Sequence, residues 1–179
     1  MAPRPYGRCF GFEGTTVTDI DEPRHAAWLD QHAQLVAQHI RESGVHINYV
    51  IADERRKQTS IAYTVGLFGI GHPELLVLGL DPDTAWSLLN ELAARVRRGD
   101  QLVVGELVSF TAWSHRVLIE GSPNPGEIAF TANAHYQRPS EASVPVLQLT
   151  YDDRAGRFPW DDGYAVGAWI QPRPGSFTA

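Results

Sequence analysis

The chain has 179 residues, 43% of them hydrophobic and 20% charged, which suits one domain with its own core. Its 15 Lys and Arg against 21 Asp and Glu leave a net charge of −6, which speaks against general nucleic-acid binding. The longest apolar runs, such as LLVLGL, are too short to span a bilayer.

MAPRPYGRCFGFEG lacks the apolar stretch of a secretory signal. The single cysteine, Cys9, rules out an intrachain disulfide. The expectation is a cytoplasmic protein that engages neither nucleic acid nor membrane.

Residues 1–22 are rich in Gly, Pro and Thr without a period, so they read as an irregular N-terminal arm. A helix is expected from Pro23, because proline suits a first turn, to Gly44, a C-terminal cap. Leu29, Ala33, Val36 and Ile40 form its buried stripe, widened by Trp28 and Leu35. VHINYVIA and TSIAYTVGL alternate and are β-branched, so they read as a hairpin around the polar turn DERRKQ. FGIGHPE breaks the chain, and LLVLGL follows as a buried strand.

Asp81 and Pro82 open a second helix, with Trp86, Leu89, Leu92, Ala93 and Val96 on its inner face and Gly99 at its end. QLVVGELVSFTAW and RVLIEG read as strands, IAFTANAHYQRPS as a short helix, and VPVLQLTYDD as a strand that Pro145 places at an edge or begins. RAGRFPWDDGY is an irregular loop, and residues 171–179 form a flexible tail. The order predicts a single α+β domain over residues 23–170, a largely antiparallel sheet covered by two main helices.

Three segments, AYTVGL at 62–67, GHPELLVLGL at 71–80 and VLQLTYDDRAGRFPW at 146–160, carry a resemblance. In order and spacing the chain resembles an uncharacterised bacterial domain-of-unknown-function family, number 4262, over most of residues 24–162. The resemblance implies no activity and no cofactor.

Histidines are the first candidates for chemistry. His25, His32, His39 and His46 recur every seven residues. On one helix that spacing separates neighbours by about 10.5 Å, too far for two to share a metal whose ligands lie about 2.0–2.1 Å away. His39 and Glu42 make at best a surface pair. The ladder reads as the shoulder of an amphipathic helix, with a pH-sensitive interface as the other reading. No metal site is expected.

His72 and Glu74 flank Pro73, and in an extended segment both side chains point the same way, so Glu74 can orient His72 as a general acid or base. The competing reading is a turn whose backbone groups Glu74 satisfies. Tyr63 is a candidate proton donor and Thr64 a ligand contact, facing opposite sides of one strand, one of them buried. Asp152, Phe158 and Trp160 complete a ligand-binding set, with Trp160 as a wall.

Asp152, Asp153, Asp161 and Asp162 do not match a calcium loop. Arg55, Arg56 and Lys57 read as a solvated turn, and Arg95, Arg97 and Arg98 as a helix end that favours cations. Neither a phosphate-binding glycine loop nor a Gly-x-Ser-x-Gly elbow is present.

The leading functional reading is a small-molecule-binding or cofactor-independent enzymatic domain, a hydrolase or proton-transfer catalyst, with its pocket near YTVGL, GHPEL and FPW. The alternative is a non-catalytic interaction or immunity-type protein whose acidic surface meets a protein partner, or a homodimer. A flavin or haem binder is the weakest of the three.

Overall fold

The computed structural model describes residues 22–176, so residues 1–21 of the expected N-terminal arm, Cys9 among them, lie outside the described residues. Helix α1 is Glu22–Ser43. Gly44 follows it at φ +84°, and its N–H donates to the Ile40 carbonyl at 2.8 Å, which ends the helix as a glycine cap does. Strand β1 is His46–Val50 and β2 is Ile61–Val65, antiparallel to it. Between them the Asp53 carboxylate accepts from the Arg55 and Arg56 N–H groups, and Arg55, Arg56 and Lys57 are exposed.

Strand β3 is Glu74–Leu78 and helix α2 is Pro82–Arg97. The Asp81 carboxylate caps α2 by accepting from the Asp83 and Thr84 N–H groups. Strands β4 (Leu107–Val108) and β5 (Val117–Gly121) precede helix α3 (Phe130–His135) and strand β6 (Val146–Tyr151). The six strands form one sheet in the order β1-β2-β3-β6-β5-β4. Every pairing in it is antiparallel except β3 with β6. This is the expected α+β arrangement. Pro145 immediately precedes β6, a central strand, so it marks a strand start and not an edge.

Both faces of the sheet are covered. Leu75, Val77, Leu147 and Leu149 point to one side and pack with Leu88, Leu89, Leu92 and Val96 of α2. Tyr63, Val65, Leu76 and Val146 point to the other and pack with Val36 of α1 and Ala132 of α3. Each such Leu, moved fully from water, contributes about 1.5–3 kcal/mol. The continuously apolar sequence of β3 follows from this cover on both faces.

Several expectations need correction. Trp86 is 62% exposed, because Ala85 and Leu88 take the inner face of α2 instead. Among the described side chains of α1 only Val36 is fully buried and Ile40 is half-buried, while Leu29, Ala33, Trp28 and Leu35 are exposed. The α1 stripe is longer than the sheet surface that meets it.

Residues 101–113 hold only the two-residue β4, because Val103 and Glu106 close a turn there and leave Val103 and Val104 at the surface. Gln171 opens the stretch expected to be a flexible tail. Gln171 is fully buried and brackets the Tyr151 backbone with both ends of its amide. No helix among the described residues is long and apolar enough to cross a membrane.

Candidate functional site

Strands β2 and β3 are joined by a tight connection at residues 66–73. It begins at Gly66, φ +139°, where an added Cβ would stand 2.6 Å from the Gly44 carbonyl oxygen. Glu74 closes this connection from beneath. Its carboxylate accepts from Thr64 Oγ1 at 2.7 Å and from the N–H groups of Gly66 (2.9 Å), Phe68 (3.0 Å) and Leu67 (3.3 Å). Glu74 and Thr64 are both wholly buried. Burial pushes the Glu74 carboxyl above its usual range, and the donors from Phe68, Thr64, Gly66 and Leu67 offset only part of that rise.

The structure thus unites Thr64 and Glu74, as a buried staple with no opening to solvent at either side chain. Thr64 Oγ1 also accepts the Leu75 N–H at 2.9 Å, so its hydroxyl is committed. Tyr63 points to the opposite face, is also buried, and its hydroxyl accepts the Thr131 N–H at 3.1 Å. Both residues are buried, and not one alone, because helices cover both faces of the sheet.

His72 is 1% exposed and does not engage Glu74. Its Nδ1 lies 2.7 Å from the Pro73 carbonyl oxygen, and its Nε2 accepts the Leu102 N–H at 3.2 Å. An N–H donor at Nε2 requires a lone pair there, so the proton sits on Nδ1. With both nitrogens spent on backbone groups, the imidazole ties residues 100–104 to the entrance of β3. The orienting role expected of Glu74 is absent.

A second cluster lies where β6 ends. The β5–β6 register pairs Val117 with Tyr151, which sets Arg116 opposite Asp152. The buried Asp152 carboxylate accepts from the Arg116 backbone N–H at 2.8 Å and from its Nε at 2.7 Å. His115 Nδ1 stands 2.6 Å from the Asp152 carbonyl oxygen and 3.4 Å from its carboxylate. No described residue bonds His115 Nε2. Trp113 lies 4.8 Å from the His115 ring and Tyr151 6.1 Å away, centroid to centroid.

Asp153 organises the following loop. Its carboxylate accepts from the Arg157 and Ala155 N–H groups, the Ala165 N–H and the Arg157 guanidinium. Burial alone would raise its pKa, but these donors outweigh burial and hold it at about 2. Phe158 and Trp160 stack 4.9 Å apart and within 2° of parallel. The Arg116 guanidinium lies 5.4 Å from the Phe158 ring centre, and that of Arg173 lies 4.6 Å from the Trp160 ring centre.

Arg173 also pairs with Glu120 at 2.8 Å and borders a groove of about 270 Å³ with Val104, Leu118 and Pro174. Tyr164 is pushed up to about 12 by burial and by Asp153 and Asp152, against a Gln171 hydrogen bond that lowers it.

The predicted residues therefore form two groups. Glu74 pairs with Val146 at the start of the parallel strands, whereas Asp152 follows the end of β6. Six residue steps of extended chain separate Val146 from Asp152, roughly 20 Å. His72, Glu74, Thr64 and Tyr63 belong to the first end, and Asp152 and Phe158 to the second, with Trp160 stacked beside Phe158.

His115, Arg116, Tyr164 and Gln171 escaped sequence reasoning. The strand register alone brings His115 and Arg116 to Asp152, and no local motif marks them. Among the described residues, no group of three or more His, Cys, Asp or Glu side chains is placed to hold a metal ion.

Neither a curated protein nor a solved structure matches the chain. The family described as "Domain of unknown function (DUF4262)" matches residues 39–165, a span that includes the Glu74 staple, the His72 tie and the Asp152 cluster. The match covers well over half of the sequence, and the chain belongs to that family.

Proposed function

We propose that the protein is a small-molecule-binding domain with cofactor-independent acid–base capacity, and that its working end is the His115–Asp152 edge and not the GHPEL segment. One observation carries this reading. His115 presents Nδ1 to the Asp152 carbonyl at 2.6 Å, while Asp152 is itself clamped by Arg116. A carbonyl or carboxylate at one imidazole nitrogen fixes the tautomer and leaves the other nitrogen to exchange a proton.

The His115 side chain keeps 19% of its surface exposed, in contrast to the sealed His72, and Trp113 and Tyr151 supply aromatic surface beside it. Proton transfer or hydrolysis on a small organic molecule needs no more than such a base and an apolar wall. In this reading Asp152, whose 2% exposed carboxylate is committed to Arg116, positions His115 and contacts no ligand itself. Phe158, stacked under Arg116, retains its ligand-binding role, and Tyr63, Thr64, His72 and Glu74 serve the fold.

The test is a small-molecule screen by ligand-observed NMR, paired with chromogenic ester and lactone assays, on the wild type and on His115→Gln. Binding or turnover that His115→Gln abolishes, with the melting temperature unchanged, supports the reading. Hits that bind both proteins equally, or a screen with no hits, sink it.

A further inference from the structure

The histidine ladder folds onto itself. His39 and His46 stand two helical turns apart by sequence count, but Gly44 ends α1 between them and turns the chain into β1. Their Nδ1 atoms consequently meet at 2.8 Å and their rings stack at 5.1 Å. His32, one further step back along α1, presents its ring at 6.1 Å, edge to face, on the same His46 imidazole. His46 thus lies between two histidines of α1. It is 9% exposed, while His32 and His39 are half-buried.

Two Nδ1 atoms at 2.8 Å require one donor and one acceptor. The pair accommodates neutral rings or a single positive charge, but two imidazolium rings would set N–H against N–H and charge against charge. The charged and titratable groups around His46 do not relieve that conflict. α1 contributes His32 and His39, and α3 contributes His135.

α2 contributes Arg97, whose Nη1 donates to the Ser43 carbonyl at 2.6 Å beside Gly44. All of these are basic. Glu42, in the last turn of α1, takes the Gln38 amide at 2.8 Å on the exposed side. Burial first, then His39, His32 and His135, lower the His46 pKa from 6.5 to about 4.

The helix carrying this arrangement is lightly held. Among its described side chains Val36 alone is fully buried, and it sits between His32 and His39 on the face that meets the sheet. Few apolar contacts therefore oppose a repulsive pair. We propose that His39 and His46 form an acid-sensitive latch, which docks α1 on the sheet while the pair carries at most one positive charge and releases α1 when both rings are charged.

A folded-state pKa below the free value means that the released state binds the proton more tightly. Docking is then at full strength above pH 6.5, weakens as pH falls towards 4, and stays weak below that. At about pH 5 the docking equilibrium is expected to fall by at most about thirtyfold.

The test is amide hydrogen exchange by NMR between pH 7 and pH 4.5, corrected for the intrinsic pH dependence, with β3 and β6 as the internal standard. The wild type should lose protection in α1 at acid pH beyond any loss in β3 and β6. His46→Gln should abolish that extra loss. His39→Gln, which keeps the buried ring but removes its partner, should reduce it and serves if His46→Gln does not fold. α1 protection that follows β3 and β6 at every pH, or an equal α1 loss in the wild type and His39→Gln, overturns the latch.

Discussion

Thr64 Oγ1 donates to Glu74 Oε2 at 2.7 Å inside the protein, and through this contact the YTVGL segment is bound to HPEL. The two residues are ten apart in the chain and belong to neighbouring antiparallel strands. Their contact, with three backbone N–H groups on the same carboxylate, gives the two segments a structural purpose: they hold the buried connection between β2 and β3.

Removing the carboxylate leaves those donors buried and unsatisfied. Glu74→Ala is expected to destabilise the fold by about 3 kcal/mol or more. Glu74→Gln keeps one acceptor oxygen and is expected to cost about 1–2 kcal/mol, and Thr64→Val a similar amount. Urea unfolding followed by circular dichroism gives all three values, and a Glu74→Ala protein as stable as the wild type would refute the staple.

His72 acts through its two backbone contacts. Its Nδ1–H tautomer should be visible at neutral pH in a long-range ¹H–¹⁵N spectrum. His72→Phe keeps the ring volume but strands the Leu102 N–H, at an expected cost of about 2 kcal/mol. If His72 shows the Nε2–H tautomer, the tie between β3 and residues 100–104 has been misread.

The Arg116 guanidinium is partly exposed, whereas the Asp152 carboxylate beneath it is 2% exposed. Arg116→Met retains the stem over Phe158 but leaves Asp152 with a lost charge-assisted hydrogen bond. The expected loss is about 2 kcal/mol, reduced by solvent at the arginine. The double variant Arg116→Met/Asp152→Asn should recover part of it, and thermal denaturation of the set measures the coupling. Additive single losses would show that the two side chains act independently.

Asp153, held at about 2 against an ordinary value of 3.8, prefers its ionised form in the folded chain. Its contribution is complete above pH 3.8 and is lost as the pH falls through that window towards 2. Asp153→Asn should therefore melt below the wild type at neutral pH, and the gap should close as the pH falls from about 4 to about 2. Melting curves across that range test it, and a gap that does not change with pH would count against the loop being organised by a carboxylate.

The elements were legible where a local rule governs them. Asp81 and Pro82 start α2, Gly44 stops α1, and β-branched runs form β1, β2 and β6, because capping, left-handed backbone and strand propensity act over a few residues. The turn reading of Glu74, as a side chain that satisfies backbone groups, was likewise available from GHPEL.

The misplaced features are those that need a partner from elsewhere in the chain. Trp86 and Leu29 have the right spacing for a buried stripe, but no described element covers them. Gln171 is buried although its surroundings in sequence read as a tail, because Tyr151 offers it two backbone groups.

By itself, then, the sequence determined the α+β class, the family and most helix and strand positions, since those follow from periodicity and from chemistry within a few residues. Tertiary structure decided which polar groups meet. It sealed His72 between Pro73 and Leu102, turned Glu74 towards the loop amides, set His115 and Arg116 on Asp152, and brought His46 to His39. Strand register and the reversal at Gly44 set those distances, and neither leaves a trace in the spacing of the residues they join.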